Sequence, residues 1–195
     1  GLFRSEDHRV RIRTNMNIYW DHAFFTVGAV TAPIEVTTLQ PVAADFHYRG
    51  FSELYRKGGR FGPHWFDYAS VSMQSPWRPI VGAYTRYGSV LDLGSESDDI
   101  YPIMGPGDEI TLRFDAAKAP PLPEGWTRDF MIYSDGWIKD ADLNTADGWR
   151  VEPLPFHAMS EYPYGPSEVY PHPDIVRRYH TRAPTPMAVL GGGSR

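Results

Sequence analysis

Eighteen glycines and eighteen prolines are spread along this chain of 195 residues, and they constrain its fold more than any other feature. Proline lacks the backbone N–H that helices and central strands need, and glycine favours turns, so long regular elements are disfavoured. Aromatic residues make up 14% of the sequence and supply large buried area for a core built from short elements. The composition therefore predicts a single β-rich domain with many turns.

Alternation of polar and apolar residues with a period of two predicts several half-buried strands. They lie at residues 9–13, 17–20, 23–30, 34–39, 84–88, 109–115 and 128–133. Pro106 and Gly107, in the run MGPGD at residues 104–108, predict a type II turn just before one of these strands. The pattern is typical of an all-β fold, an antiparallel β-sandwich or jelly roll.

Residues 45–79 interrupt this pattern with glycine and proline pairs, and we interpret them as a long irregular insertion rich in aromatic residues. Exposed aromatic rings stack on sugars or anchor protein partners, whereas buried ones form a satellite core under a loop. The candidate ligand- or partner-binding residues of the insertion are Trp65, Phe66, Tyr68 and Trp77.

Residues 153–190 form a second distinctive region, an extended arm that follows a sandwich domain at residues 1–152. Its prolines forbid a long helix or a central strand, while Phe156, Tyr162 and Tyr164 offer rings for docking. The arm is predicted to pack on the body of the protein itself or on another subunit. Residues 191–195 (GGGSR) are interpreted as a linker remnant.

An acidic loop contains the sharpest candidate for a metal site, because oxygen ligands at alternate positions of a tight loop can converge on Ca²⁺. The candidate ligands are Asp140, Asp142, Asn144 and Asp147. Thr145 stands where a calcium loop has glycine, so a solvated acidic turn is the alternative. The seven histidines show no zinc spacing, which favours surface or ring-packed roles for them.

Charge and composition limit the partners of the chain. A net charge of −5 with scattered basic residues argues against a nucleic-acid partner. No apolar run approaches the roughly 20 residues of a transmembrane helix. The absence of cysteine excludes disulfides, thiolate metal sites and cysteine nucleophiles. The motifs GxSxG and HExxH and a glycine-rich phosphate loop are also absent, so no self-contained catalytic apparatus is recognisable.

Four motifs together carry a resemblance to a known family: RIRTNMNIYWD at residues 11–21, MGPGDE at 104–109, DGWIKDADLNT at 135–145 and EPLPF at 152–156. From residue 9 to residue 182 the chain resembles the C-terminal domain of large bacterial proteins with FG-GAP/VCBS repeats, ASPIC/UnbV modules and tetratricopeptide repeats. The resemblance implies an exported setting, periplasmic, cell-surface or extracellular, and no particular activity.

Three classes of function follow from these observations. The first is a non-catalytic binding or assembly module whose partners are protein subunits of a larger exported or membrane-associated complex. The second is a ligand-carrying β-sandwich that binds sugar or haem, because the run IYWD at residues 18–21 is similar to sandwich modules that bind sugars or, in dehydrogenase γ subunits, haem. The third is an enzyme of unrecognised type, which would need a polar pocket with strongly perturbed titratable groups.

Overall fold

The computed structural model describes residues 11, 33–74, 79–139, 141–142 and 146–183. Within them the order of elements is β1 (Pro41–Tyr48), β2 (Phe51–Arg56), β3 (His64–Ser72), β4 (Gly88–Ser89), β5 (Asp108–Phe114) and α1 (Pro173–Tyr179). The chain divides into two compact units, Gly1–Thr37 and Thr38–Arg195. All the named elements lie in the second unit. The described residues of the first, 11 and 33–37, are exposed and lie outside regular structure.

A three-stranded antiparallel sheet in the order β4-β1-β5 forms the centre of the second unit. Strand β1 buries Ala44 and Phe46 on one face while Asp45 between them stays exposed, which is the period-two pattern of a half-buried strand. Across the ladder Phe46 pairs with Ile110 of β5. The alternation of residues 109–115 therefore predicted β5 correctly to within one residue.

The type II turn is also confirmed. The Asp108 N–H donates to the Gly105 carbonyl at 3.0 Å, which closes a four-residue turn around Pro106 and Gly107. Gly107 has a φ of +90°, as the second central position of this turn requires. A Cβ there would lie 2.5 Å from the Tyr48 ring, so only glycine fits.

Among the described residues, two apolar clusters form the core, and the helix α1 contributes to both. The first cluster buries Ala44, Phe46, Val90, Leu93 and Tyr179. The second buries Tyr84, Val151 and Leu154. Ile175 packs against the first cluster and its neighbour Val176 against the second, so consecutive residues of α1 join the two. Pro173 starts this helix, where its missing N–H costs nothing.

The interpretation of residues 45–79 as an irregular insertion is wrong. Their first residues complete β1, and β2 and β3 pair as an antiparallel hairpin with Tyr55 opposite Trp65 and Leu54 opposite Phe66. Apolar residues face solvent on both sides of this two-stranded sheet, so the sequence lacks the polar and apolar alternation of a half-buried strand. A register shift between Ser52 and Glu53 adds a bulge that obscures the period further.

Two other predicted strands are wrong, and a third is only partly present. Residues 34–39 and 128–133 have no strand, and Phe130, Met131 and Ile132 are between 82% and 98% exposed. Of residues 84–88, Tyr84 makes an isolated bridge to Arg182, and only the last residue enters β4. A run of strand-forming residues becomes a strand only where a ladder partner exists, because the backbone hydrogen bonds of a strand are made to a neighbouring strand. The strands predicted at 9–13, 17–20 and 23–30 lie outside the described residues, apart from residue 11.

The described residues are thus β-rich, with two antiparallel sheets and one short helix, as the composition predicted. No described helix has the length and apolar character needed to cross a membrane. The arm belongs to the same compact unit as the sheets. Residues 153–172 of the arm have no helix or strand, and the helix α1 that follows them was not predicted from the sequence.

Candidate functional site

Arg49, in the two-residue connection between β1 and β2, links the three-stranded sheet to the hairpin. Its Nε lies 3.1 Å from Glu109 Oε2 on β5, and its Nη1 donates to Ser52 Oγ at 2.9 Å. The second terminal nitrogen donates to the Tyr68 carbonyl on β3. All three nitrogens of the guanidinium are therefore engaged, and its planar shape fixes how the hairpin leaves the sheet.

Gly50 makes this sharp departure possible. Its φ of +106° is in the left-handed region, and a Cβ there would lie 2.7 Å from Val71 Cγ1 and 2.8 Å from the Ser72 carbonyl oxygen. The N–H groups of Arg49 and Gly50 both donate to the Gly107 carbonyl, at 2.9 and 3.1 Å. The start of the hairpin is thereby tied to the type II turn.

A cavity of about 260 Å³ lies at this junction. Arg49, Ser52 and Glu109 contribute polar groups to its wall, and the candidate residues Phe66 and Tyr68 contribute aromatic rings with centroids 6.4 Å apart. The volume is slightly below the range of about 300–1,000 Å³ for small-molecule pockets, so it suits a ligand of single-ring size. The structure therefore brings together two of the four aromatic candidates of residues 45–79.

Trp65 lies on the other face of the hairpin, because adjacent residues of a strand point to opposite sides. Tyr55 is its cross-strand partner, and Lys57 Nζ lies 3.8 Å from the centroid of its ring. Phe61, near the tip of the hairpin, is 90% exposed. Trp77, the fourth candidate, lies outside the described residues.

The candidate rings of the arm serve the arm itself. Phe156 is buried and packs edge-on against Tyr164, with centroids 5.1 Å apart. The hydroxyls of Tyr162 and Tyr164 donate to the Pro153 and Leu154 carbonyls at 2.9 and 3.1 Å. Burial raises the pKa of Tyr162 to about 12, so its hydroxyl stays protonated at neutral pH and can donate. A proline-rich segment lacks ladder partners, and tyrosine hydroxyls satisfy its carbonyls instead.

Lys139 binds the backbone at the start of this segment. Its Nζ donates to the carbonyls of Arg150, Val151 and Pro153 at 3.0, 2.8 and 3.2 Å. The Tyr162 ring lies 4.9 Å from the same nitrogen. Burial lowers the pKa of Lys139, opposed by the nearby carboxylates. The Lys139 ammonium thus holds together the backbone at residues 150–153, where the arm begins.

Two of the four candidate calcium ligands, Asp140 and Asn144, lie outside the described residues. Asp142 and Asp147 are both exposed. Asp147 has a φ of +48°, and its backbone carbonyl accepts the Arg150 N–H at 3.2 Å. Among the residues that are described, no cluster of three histidine or acidic side chains could hold a metal ion. Calcium binding by this loop stays a prediction.

Sequence reasoning missed a nearly buried ion pair, between Asp108 at the start of β5 and Arg182 at the end of the arm. The two side chains are 2% and 17% exposed, and their charged atoms lie 2.5 Å apart. Asp108 also accepts from the Tyr87 hydroxyl at 2.7 Å and from the Gly105 N–H at 2.6 Å. Arg182 Nε donates to the Thr85 carbonyl at 2.9 Å. The position of Asp108 after a tight turn hints at a capping role, but no local pattern pairs it with a residue 74 positions later.

A second missed group is centred on His157 of the arm, whose ring nitrogens face two carboxylates. Nδ1 lies 2.7 Å from Asp99 and Nε2 lies 3.4 Å from Asp135. The Ser97 hydroxyl donates to Asp135 at 2.5 Å rather than to the imidazole. The imidazole therefore does not activate Ser97 as a nucleophile, because for that it would have to accept the proton of the Ser97 hydroxyl.

Comparison of the chain with protein-family models, with curated proteins and with solved structures gives no match.

Proposed function

We propose that this chain is a non-catalytic binding or assembly module of a larger exported protein complex, and that the β2–β3 hairpin supplies its partner-binding surface. The observation that carries the proposal is the exposure of large apolar side chains on both faces of a two-stranded sheet. Tyr55, Phe61, Trp65 and Tyr68 are between 43% and 90% exposed. Tyrosine and tryptophan dominate the energetics of protein interfaces, since each buries a large area at low cost in entropy.

The charges of the hairpin indicate the chemistry of the partner. Three basic residues, Arg56, Lys57 and Arg60, fall within five positions at its tip, although the chain as a whole has a net charge of −5. Arg60 lies 5.4 Å from the Phe61 ring centroid, and Lys57 lies over Trp65, so basic and aromatic groups are interleaved. A protein surface with an apolar pocket and an acidic rim would complement this tip.

The exported setting of the complex is part of the proposal, and it depends on the resemblance of four sequence motifs to the FG-GAP/VCBS-repeat proteins. We also propose that the fold is an antiparallel β-sandwich or jelly roll, since two antiparallel sheets lie within one compact unit. An experimental structure that placed the sheets side by side in a single layer would contradict this part.

The test is copurification from the cells that produce the protein, with a hairpin variant and a matched control. Trp65→Ser should abolish the recovery of a specific protein partner, because it removes the exposed ring beside Lys57. Leu112→Ser is the control, since Leu112 on β5 is 42% exposed, close to the 46% of Trp65. Equal partner recovery from both variants and the wild type would contradict the proposal, as would recovery of nucleic acid in place of protein.

A second candidate function, the binding of a sugar, is favoured by the cavity at the junction. Phe66 and Tyr68 provide faces on which a pyranose ring can stack, and Glu109 and Ser52 provide hydrogen-bonding groups beside them. A single sugar ring matches the volume of about 260 Å³. Haem is a far larger group and does not match this volume.

Titration with monosaccharides and disaccharides, followed by NMR chemical shifts, tests this second function. Shifts should concentrate on Phe66 and Tyr68 and disappear in Tyr68→Ala. Trp65→Ala is the matched control, because Trp65 lies on the opposite face of the same strand, and it should leave the titration unchanged. An absence of shifts at millimolar sugar would remove the candidate and leave the assembly proposal intact.

A further inference from the structure

His157 joins three separate parts of the chain through one imidazole ring. Asp99 Oδ1 lies 2.7 Å from its Nδ1 and also accepts its backbone N–H at 2.8 Å. On the other side, Nε2 lies 3.4 Å from Asp135 Oδ2, and the Trp137 ring packs edge-on with centroids 5.5 Å apart. The arm, the bend at residues 94–99 and the segment at residues 135–137 therefore meet at this ring.

Both contacts are attractive at the same time only when the ring carries two protons. An ionised carboxylate only accepts hydrogen bonds, so each ring nitrogen must carry a hydrogen to face one, and the imidazolium has two. Neutral imidazole has a single N–H. In the neutral ring this N–H is at Nδ1, facing Asp99, because the contact with Asp99 is the shorter one and the backbone N–H of His157 holds the Asp99 carboxylate in place. The Nε2 lone pair then faces the negative charge of Asp135, and the contact becomes repulsive.

We propose that His157 is a pH-dependent latch, which holds the segment at residues 135–137 against the arm when its ring is protonated and releases that segment when it is neutral. Among the described residues, the charged groups that face the ring are Asp99 from the bend and Asp135 from the segment. The remaining neighbours, the Ser97 hydroxyl on Asp135 and the Trp137 ring, carry no charge. The exposed apolar residues Phe130 to Tyr133 lie just before this segment in the sequence, separated from it by Ser134.

The pH range in which the latch is closed follows from the direction in which the pKa of His157 is shifted. The hydrogen bond to Asp99 raises the pKa of His157, desolvation opposes this, and the charges of Asp99 and Asp135 add to it. A histidine with a raised folded-state pKa contributes its full stabilisation below the unfolded value of about 6.5. That contribution is lost as the pH rises through the folded-state pKa. The latch is therefore closed in mildly acidic solution and open in alkaline solution.

NMR of the full chain tests the latch with two readouts, the ¹⁵N shifts of the His157 ring and the Overhauser contacts between the Trp137 and His157 rings. The contacts should be present at about pH 5.5 and weaken roughly two- to fivefold by about pH 8.5, the range expected for one exposed ion pair. Asp135→Asn should lower the pKa of His157 and make the ring contacts insensitive to pH, because an amide can pair with either form of the ring.

Asp174→Asn is the matched control, since Asp174 is an exposed carboxylate that pairs with Arg177 away from His157. It should leave the wild-type titration unchanged. His157→Gln should show weakened contacts of the Trp137 side chain at every pH. Ring contacts in the wild-type protein that stay constant while the His157 shifts titrate would overturn the proposal, and so would a wild-type pH profile in Asp135→Asn.

Discussion

Replacing Arg182 with methionine should be among the most damaging single changes outside the apolar core. The substitution keeps an unbranched apolar stem, although a shorter one, and leaves the Asp108 carboxylate, whose side chain is only 2% exposed, without its counter-charge. Asp108 retains the Tyr87 hydroxyl and the Gly105 N–H as donors. Methionine cannot replace the donation from Arg182 to the Thr85 carbonyl. The variant therefore tests whether the ion pair, rather than general packing, fixes the end of the arm.

The expected loss follows from the burial of the pair. Removing one partner of a buried ion pair costs about 3–5 kcal/mol, because the remaining charge stays desolvated. Arg182 is 17% exposed and Asp108 keeps two donors, so the lower end, about 3 kcal/mol, applies. For a chain of this size that corresponds to a fall in melting temperature of roughly 6–12 °C.

Urea unfolding followed by circular dichroism measures this loss as a shift in midpoint at constant slope. Arg177→Met is the matched control, because Arg177 pairs with Asp174 where both side chains are largely exposed, at 71% and 85%. Such a pair contributes about 0–1 kcal/mol. The double variant Arg182→Met with Asp108→Asn should lose less than the sum of the two single variants. A loss in Arg182→Met no larger than in Arg177→Met would refute the reasoning.

Further predictions concern the hairpin junction, the contacts of Lys139 and the acidic loop. Gly50→Ala should destabilise the fold by roughly 2 kcal/mol more than Gly58→Ala in urea unfolding, because both glycines have positive φ but only Gly50 would clash. Lys139→Met should cost about 2 kcal/mol by the same measurement, since three carbonyls lose their shared donor. If the acidic loop binds calcium, millimolar Ca²⁺ should raise the melting temperature, and Asp142→Asn with Asp147→Asn should remove the effect. An unchanged melting temperature of the wild-type protein would mean that the loop is a solvated turn that does not bind calcium.

Whether the sequence predicts an element depends on how local the interactions are that form it. The turn at Pro106 and Gly107 and the strand β5 were predictable, because a turn and a half-buried strand each leave a pattern within a few consecutive residues. The hairpin was hidden because neither face of a two-stranded sheet is fully buried, so no alternation marks it. Residues 128–133 show the reverse case, a run rich in apolar and aromatic residues without a ladder partner among the described residues.

Contacts between residues far apart in the sequence could not be predicted from local patterns. Asp108 and Arg182 are 74 positions apart, and Asp99 and His157 are 58 apart, so no local period relates them. The aromatic residues of the hairpin were predicted as binding candidates on residue type alone. Their division into a cavity face with Phe66 and an outer face with Trp65 required the register of the ladder.

The role of the hairpin as a partner-binding surface is tested most directly by the mass of the protein in its native assembly. Light scattering after size-exclusion chromatography would compare the wild-type protein, isolated from the cells that produce it, with Trp65→Ser and Leu112→Ser. We predict that the wild type and Leu112→Ser share one mass, and that Trp65→Ser elutes as a smaller species with an unchanged circular dichroism spectrum. The same mass for all three proteins would contradict the account.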